Sequence, residues 1–154
     1  MAGSVDRVRE ALRSKGHHDA IVTFPDSTRT AAEAATAVGC EVAQIAKSIL
    51  FRAGDTPVLV VASGANRIDA AKVEAEVSSP VQRPDAAWVR QVTGFAIGGV
   101  SPVGHLTLPT VLIDADLAAL DPIWAAAGAP NAVFRTGFAE LVRISGGRVA
   151  DIRE

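Results

Sequence analysis

Three short segments place residues capable of chemistry where packing alone would not choose them. In Ile45-Ala46-Lys47-Ser48-Ile49-Leu50-Phe51 a lysine stands at the entrance to an apolar run. Its ammonium must find an anion, a carbonyl or water; the plainer reading is a strand-end lysine that snorkels to solvent. In Gly94-Phe95-Ala96-Ile97-Gly98-Gly99-Val100-Ser101-Pro102-Val103-Gly104-His105 the adjacent glycines, Gly98 and Gly99, permit close backbone approach and expose N–H groups. Pro102 fixes φ and stiffens the turn. Exposed N–H groups on a rigid loop are what a developing oxyanion needs in acyl transfer or ester hydrolysis, although an ordinary Gly/Pro connection fits the same residues. His105 could shuttle a proton but reads more readily as a hydrogen-bonded structural histidine. The third segment, Ser63-Gly64-Ala65-Asn66-Arg67, follows an apolar strand, where a sheet edge often holds a ligand. It also reads as a polar turn leading into the next helix.

Other chemistries lack their signatures. There is no Gly-x-Ser-x-Gly elbow, no P-loop and no dinucleotide fingerprint. The single cysteine, Cys40, has no histidine nearby and reads as a small buried apolar residue. Neither it nor the three histidines, two of them adjacent at His17 and His18, gives a metal spacing. No metal and no cofactor are therefore expected.

The elements that must position these segments can be read from periodicity. Val5, Val8 and Leu12 recur at helical spacing, in a first helix that Gly16 can end. Ala20 to Phe24 reads as a strand entering a turn at Pro25-Asp26-Ser27, and Thr30 to Val38 as a helix closed by Gly39. Glu41 to Ala46 is a candidate further helical turn. Ser48 to Arg52 and Pro57 to Ala62, joined by Ala53-Gly54-Asp55-Thr56, read as a hairpin. Its second strand, apolar on both faces, belongs in the interior of a sheet. Asp69 is placed to cap a helix over 70–77, and Pro84 or Asp85 another through Val92. Phe95 to Ile97, Thr110 to Ile113 and Ile123 to Ala127 are strand candidates, Phe138 to Ile144 a late helix and Arg148 to Ile152 a closing strand. The fold class expected is α/β or α+β, a mixed β-sheet flanked by helices.

Bulk properties narrow the function classes. The 154 residues are expected to form one domain over 1–154, and 49% of them are hydrophobic. No apolar run approaches the roughly 18 residues of a membrane span, and the charged N-terminus has no secretory h-region. A soluble, cytoplasmic protein is expected, with no membrane or DNA partner. The net charge of −2 and pI near 5.9 argue against a general RNA-binding module, which would be basic. They leave room for an enzyme that handles only the end of an RNA.

Taken in order, Ala46-Lys47-Ser48-Ile49-Leu50, Ser63-Gly64-Ala65-Asn66-Arg67, Gly98 to His105 and Pro130-Asn131-Ala132-Val133-Phe134-Arg135 resemble the YbaK/EbsC family, within the superfamily of the prolyl-tRNA synthetase editing domain. Glu140-Leu141-Val142-Arg143 with Gly146-Gly147-Arg148-Val149 resembles the family's end. The resemblance implies metal-free hydrolysis of misacylated tRNA, typically tRNA-Pro carrying Ala, Cys, Ser, Thr or 2-aminobutyrate. It implies that Lys47 is tied to activity by holding the 3′-terminal nucleotide or acyl group. Gly98, with Gly99 beside it, and Pro102 would grip the aminoacyl carbonyl, and the tRNA ribose 2′-OH would help position water. Ser48, Ser63, Gly64, Ser101, Pro102, His105 and Asn131 are the substrate-binding candidates on the matching stretches. Ser48 stands where some relatives have asparagine and others threonine, so the acyl specificity stays open. The acidic balance makes help from prolyl-tRNA synthetase or an elongation factor plausible. A non-catalytic module that binds tRNA ends or a synthetase, and a hydrolase of other small esters, are the alternative readings.

Overall fold

The computed structural model describes residues 3–18, 21–25 and 30–154. Seven strands form one mixed sheet. In chain order they are β1 (Ile21–Thr23), β2 (Ile45–Ala53), β3 (Thr56–Ser63), β4 (Thr110–Asp114), β5 (Ile123–Ala126), β6 (Ala132–Thr136) and β7 (Arg148–Ala150). Their order across the sheet is β1-β6-β5-β2-β3-β4-β7. The pairs β2/β5, β3/β4 and β4/β7 are parallel, and β1/β6, β5/β6 and β2/β3 are antiparallel. Among the described residues the five α-helices are α1 (Ser4–Ser14), α2 (Ala31–Val38), α3 (Ala70–Val77), α4 (Ala86–Thr93) and α5 (Phe138–Ser145). The α/β class with a mixed sheet flanked by helices is thus the observed one.

Both faces of the sheet are covered, which explains the apolar run of β3. Leu59 and Val61 point to a core shared with Val8 and Leu12 of α1, Val89 of α4, and Leu141 and Ile144 of α5. Val58, Val60 and Ala62 point the other way, onto Val73 of α3, Phe51, Leu112 and Ile152. Alternation along a strand with two buried faces makes its interior positions apolar, and polar residues stand only at its ends, Thr56 and Ser63. Local signals set the helix ends. Thr30 Oγ1 accepts from Glu33 N at 3.1 Å, Asp69 from Ala71 N at 2.9 Å and Asp85 from Trp88 N at 2.8 Å. Gly39 closes α2 at φ 76°. No helix among the described residues is long and apolar enough to cross a membrane.

Several boundaries differ from those expected. The helical turn read over Glu41 to Ala46 is a 3₁₀ turn, Val42–Gln44, and β2 already begins at Ile45. The hairpin pairs down to Ala53 and Thr56, leaving only Gly54 and Asp55 in the turn, with Gly54 at φ 61°. Phe95 to Ile97 is not a strand. Phe95 follows the left-handed Gly94, its N–H is held by Thr93 Oγ1 at 3.0 Å, and its fully buried ring plugs the core. A single buried aromatic in a loop mimics a short apolar run. Ala132–Thr136, which carries only a motif resemblance in the sequence, is strand β6. The closing strand stops at Ala150, two residues earlier than read. Ala20 and the turn residues Asp26 and Ser27 lie outside the described residues.

Candidate functional site

A slot opens where β2 and β5 part. These parallel strands pair only at Ile45↔Trp124 and Ala46↔Ala125. Beyond that, β2 continues along β3 to Ala53 while β5 turns back into β6. Main-chain direction along β2 follows from its ends. Ile45 O accepts from Gly64 N at 2.6 Å, so odd-numbered residues face β3. Arg52 exchanges both its bonds with Gln82, at 2.8 and 3.0 Å, so even-numbered residues face the opposite edge. On that edge Ala46 meets β5 and Arg52 meets Gln82. Between them Ser48 and Leu50 direct their N–H and C=O groups at the slot, where no strand pairs with them among the described residues. The Ser48 Oγ is also buried without a hydrogen-bond partner. Buried polar groups are normally satisfied, so an unpartnered set at a cavity points to a ligand.

The slot holds a cavity of about 300 Å³. Seven of its eighteen lining residues are alanines, among them Ala31 and Ala34 of α2 and Ala46, Ala125, Ala126 and Ala132 of the strands, with Trp124, Ile97 and Ile49 among the larger groups. Short side chains at facing positions create the space. A side lobe of about 160 Å³ continues past Ser48 toward Leu50, Val89 and Arg83.

Lys47 stands on the face of β2 opposite Ser48 and lines the same slot. Its Nζ donates to Asn66 O in the turn after β3. That turn is organised by Asp114 at the end of β4, whose carboxylate is 1% exposed. Asp114 Oδ2 accepts from Ser63 N at 3.0 Å and Asn66 Nδ2 at 2.8 Å, and Oδ1 from Asp116 N at 2.9 Å. Burial pushes the Lys47 pKa below the usual lysine value, the Asp114 charge pulls it up, and Arg67 and Arg83 push it down. Ser63 and Gly64 sit behind this wall. Ser63 Oγ donates to Ala43 O at 2.7 Å, and a Cβ on Gly64 would fall 2.5 Å from Val42 O. Both pin the 3₁₀ turn and α2 against β3.

The glycine loop presents one edge to the slot and buries the rest. Gly98 lines the cavity at φ 95°, a conformation that excludes most side chains. Its N–H makes no hydrogen bond among the described residues, whereas the Gly99 N–H is committed to Ala96 O at 3.0 Å. The sequence reading gave exposed N–H groups to both glycines; the turn consumes the second. Gly99 has a packing reason instead, since a Cβ there would lie 2.8 Å from the Ala129 Cα. Ser101 and Pro102 are buried behind the loop. His105 Nε2 pairs with Ser101 O at 2.6 Å, its ring meets Phe95 edge-on at 5.2 Å, and its Nδ1 is buried and unpartnered. Burial pushes its pKa below the usual histidine value, so the ring is neutral and donates from Nε2. His105 does not reach the slot. Asn131 fastens the rim, donating from Nδ2 to Phe24 O at 3.0 Å.

Of the ten candidates, Lys47, Ser48 and Gly98 therefore meet at the cavity. Gly99, Ser101, Pro102 and His105 build the loop's body, Ser63 and Gly64 the supporting turn, and Asn131 the rim. Sequence reasoning missed Arg7 and Asp114. The Arg7 guanidinium on α1 donates to Gly94 O at 2.8 Å and Gly104 O at 3.3 Å and stacks on Phe95 at 4.9 Å, tying both ends of the loop together. Nothing in the sequence marks it. Asp114 did leave a signal, a lone carboxylate closing the apolar strand TVLID.

Comparison with known proteins places the chain in a family and matches its fold. Residues 25–144 match the aminoacyl-tRNA editing domain. The crystal structure of a candidate trans-editing enzyme for prolyl tRNA synthetase superposes with a TM-score of 0.94 at 44% identity, covering 100% of this chain and 99% of that one. The hypothetical protein APE2540 superposes with a TM-score of 0.88 at 28% identity, over 96% of this chain and 99% of its own. The uncharacterized protein YwhH of Bacillus subtilis (strain 168) is 30% identical over 147 residues, 95% of this chain and 94% of YwhH. The chain belongs to the aminoacyl-tRNA editing domain family.

Proposed function

We propose that this protein is a trans-editing deacylase that hydrolyses the ester of misacylated tRNA, with tRNA-Pro carrying a small non-cognate amino acid as its substrate. The observation that carries the reading is the unpaired edge of β2. Ser48 brings an N–H and a C=O to a cavity of about 300 Å³, its hydroxyl buried behind them, between Lys47 and a Gly98 N–H that is unbonded among the described residues. An aminoacyl group offers complementary chemistry, an ammonium to donate and a carbonyl to accept. The small apolar wall residues suit an aliphatic aminoacyl group, and contacts of this kind are what an editing site uses to select its substrate.

The reaction adds water to the ester carbonyl and expels the ribose oxygen, which takes up a proton. The products are a free amino acid and an uncharged tRNA. An aminoacyl ester is reactive enough that positioning and carbonyl polarisation account for the rate. The Gly98 N–H faces the developing oxyanion, and the Lys47 ammonium holds the terminal nucleotide beside it. A protein acting on tRNA in this way works in the cytoplasm, and its acidic balance fits assistance from prolyl-tRNA synthetase or an elongation factor. The test is Lys47→Ala, which removes the ammonium while leaving the partly exposed strand start intact. Loss of turnover at unchanged melting temperature supports the reading; full activity on every substrate the parent cleaves contradicts it.

A further inference from the structure

Arg67, singled out in the sequence beside Asn66, has no part in the ester site. It lines a second concavity of about 250 Å³ with Lys47, Arg83, Ile49, Ile68 and Glu154. Lys47 belongs to both hollows. The two arginine charges reach its Nζ, since both push its pKa down. Neither Arg67 nor Arg83 forms an ion pair among the described residues, a condition they share with the exposed Arg90 and Arg135; what sets them apart is that they line one hollow with Lys47. The turn carrying Arg67 is fixed by Asp114 and by the bond from Glu154 N to Arg67 O at 2.9 Å. Arg83 lies over the Phe51 ring at 5.1 Å. The opposing charges are Asp114, which attracts Lys47 from the turn side, and the Glu154 carboxylate on the wall.

Three cations around one hollow, with only the Glu154 carboxylate among its lining residues, concentrate positive charge locally on a chain of net charge −2, which suits an anionic ligand. From this juxtaposition we propose that Lys47, Arg67 and Arg83 form a phosphodiester subsite for the last internucleotide linkage of the substrate RNA. Guanidinium forks match phosphate oxygens, and the shared lysine sets the phosphate one nucleotide from the ester. This rests on the deacylase reading for the ester, but not for the anion. It also accounts for how an acidic protein holds RNA, by concentrating positive charge at one linkage.

The test is titration of the RNA trinucleotide CCA into the protein at 50 and 200 mM salt, with adenosine and inorganic phosphate as separate probes. The parent is expected to bind the trinucleotide more weakly at high salt. Arg67→Gln with Arg83→Gln should weaken binding about tenfold, the scale of a charge-assisted hydrogen bond, and flatten the salt slope by about 0.7 for one single-strand phosphate. Arg67→Lys should restore the slope. Arg83→Gln also removes the contact with Phe51, so Arg67→Gln alone carries the test if the double variant unfolds. Unchanged affinity and slope in the variants overturn the subsite. Inorganic phosphate binding as tightly as the trinucleotide overturns its assignment to RNA. Arginine-dependent binding without hydrolysis of any charged tRNA upholds the subsite and removes the deacylase reading.

Discussion

Asp114→Asn tests whether the turn behind Lys47 controls the site. The carboxylate accepts three N–H donors at 2.8–3.0 Å and is almost wholly buried. Asparagine keeps the shape but turns one acceptor into a donor. Its cheapest orientation places the new NH₂ toward Asp116 N, losing that bond, and leaves the other two bonds without charge assistance. Losing one charge-assisted bond and weakening two costs about 2–4 kcal/mol. For a chain of this length that lowers the melting temperature by roughly 4–16 °C, readable by thermal denaturation. The functional consequence has its own sign. Asp114 stabilises the Lys47 ammonium, so its removal lowers the Lys47 pKa further and the amine loses its proton at lower pH. The alkaline limb of the kcat/KM profile should therefore move to lower pH in the variant. A variant that loses stability but keeps the parent's alkaline limb would show that Asp114 only supports the fold. A variant unchanged in both would refute the hydrogen-bond reasoning outright.

Ser48→Ala should separate stability from function: removing an unpartnered buried hydroxyl raises stability by about 1 kcal/mol, while kcat/KM for the charged tRNA falls. Gly99→Ala drives a Cβ to 2.8 Å from the Ala129 backbone and should cost about 1–3 kcal/mol in denaturant unfolding. His105 is held neutral by burial, with a folded pKa below that of the unfolded chain. Between the two pKa values the unfolded chain binds more protons, so stability should fall as pH drops below about 6.5. His105→Gln should flatten that acid loss in pH-dependent melting.

How far the sequence reveals this molecule depends on the range of each signal. Helix caps at Thr30, Asp69 and Asp85 and the hairpin around Gly54 are local, so they are readable from neighbouring residues. So is the double-sided burial of β3, because it needs only an unbroken apolar run. Phe95 misleads because a residue buried by a loop and one buried by a strand have the same composition. β6 is missed because AVFRT is short and its partners, β1 and β5, are named only by the fold. The site divides in the same way. Lys47, Ser48 and Gly98 stand out as residue types ill suited to packing. Their convergence, however, depends on where β2 and β5 part, which is a property of the sheet. Arg7, Asp114 and Arg83 act across 87, 51 and 36 positions of chain, through Gly94, Ser63 and Lys47 respectively, and no spacing rule reaches that far.

The central claim is that the slot beside Ser48 cleaves small aminoacyl esters of tRNA. It is tested most directly by incubating the protein in excess over tRNA-Pro charged in turn with Ala, Cys, Ser, Thr, 2-aminobutyrate and proline. First-order release of at least one small amino acid, with prolyl-tRNA surviving, is the predicted result. Survival of every charged tRNA at high protein concentration would contradict it and leave a module that binds tRNA ends without cutting them.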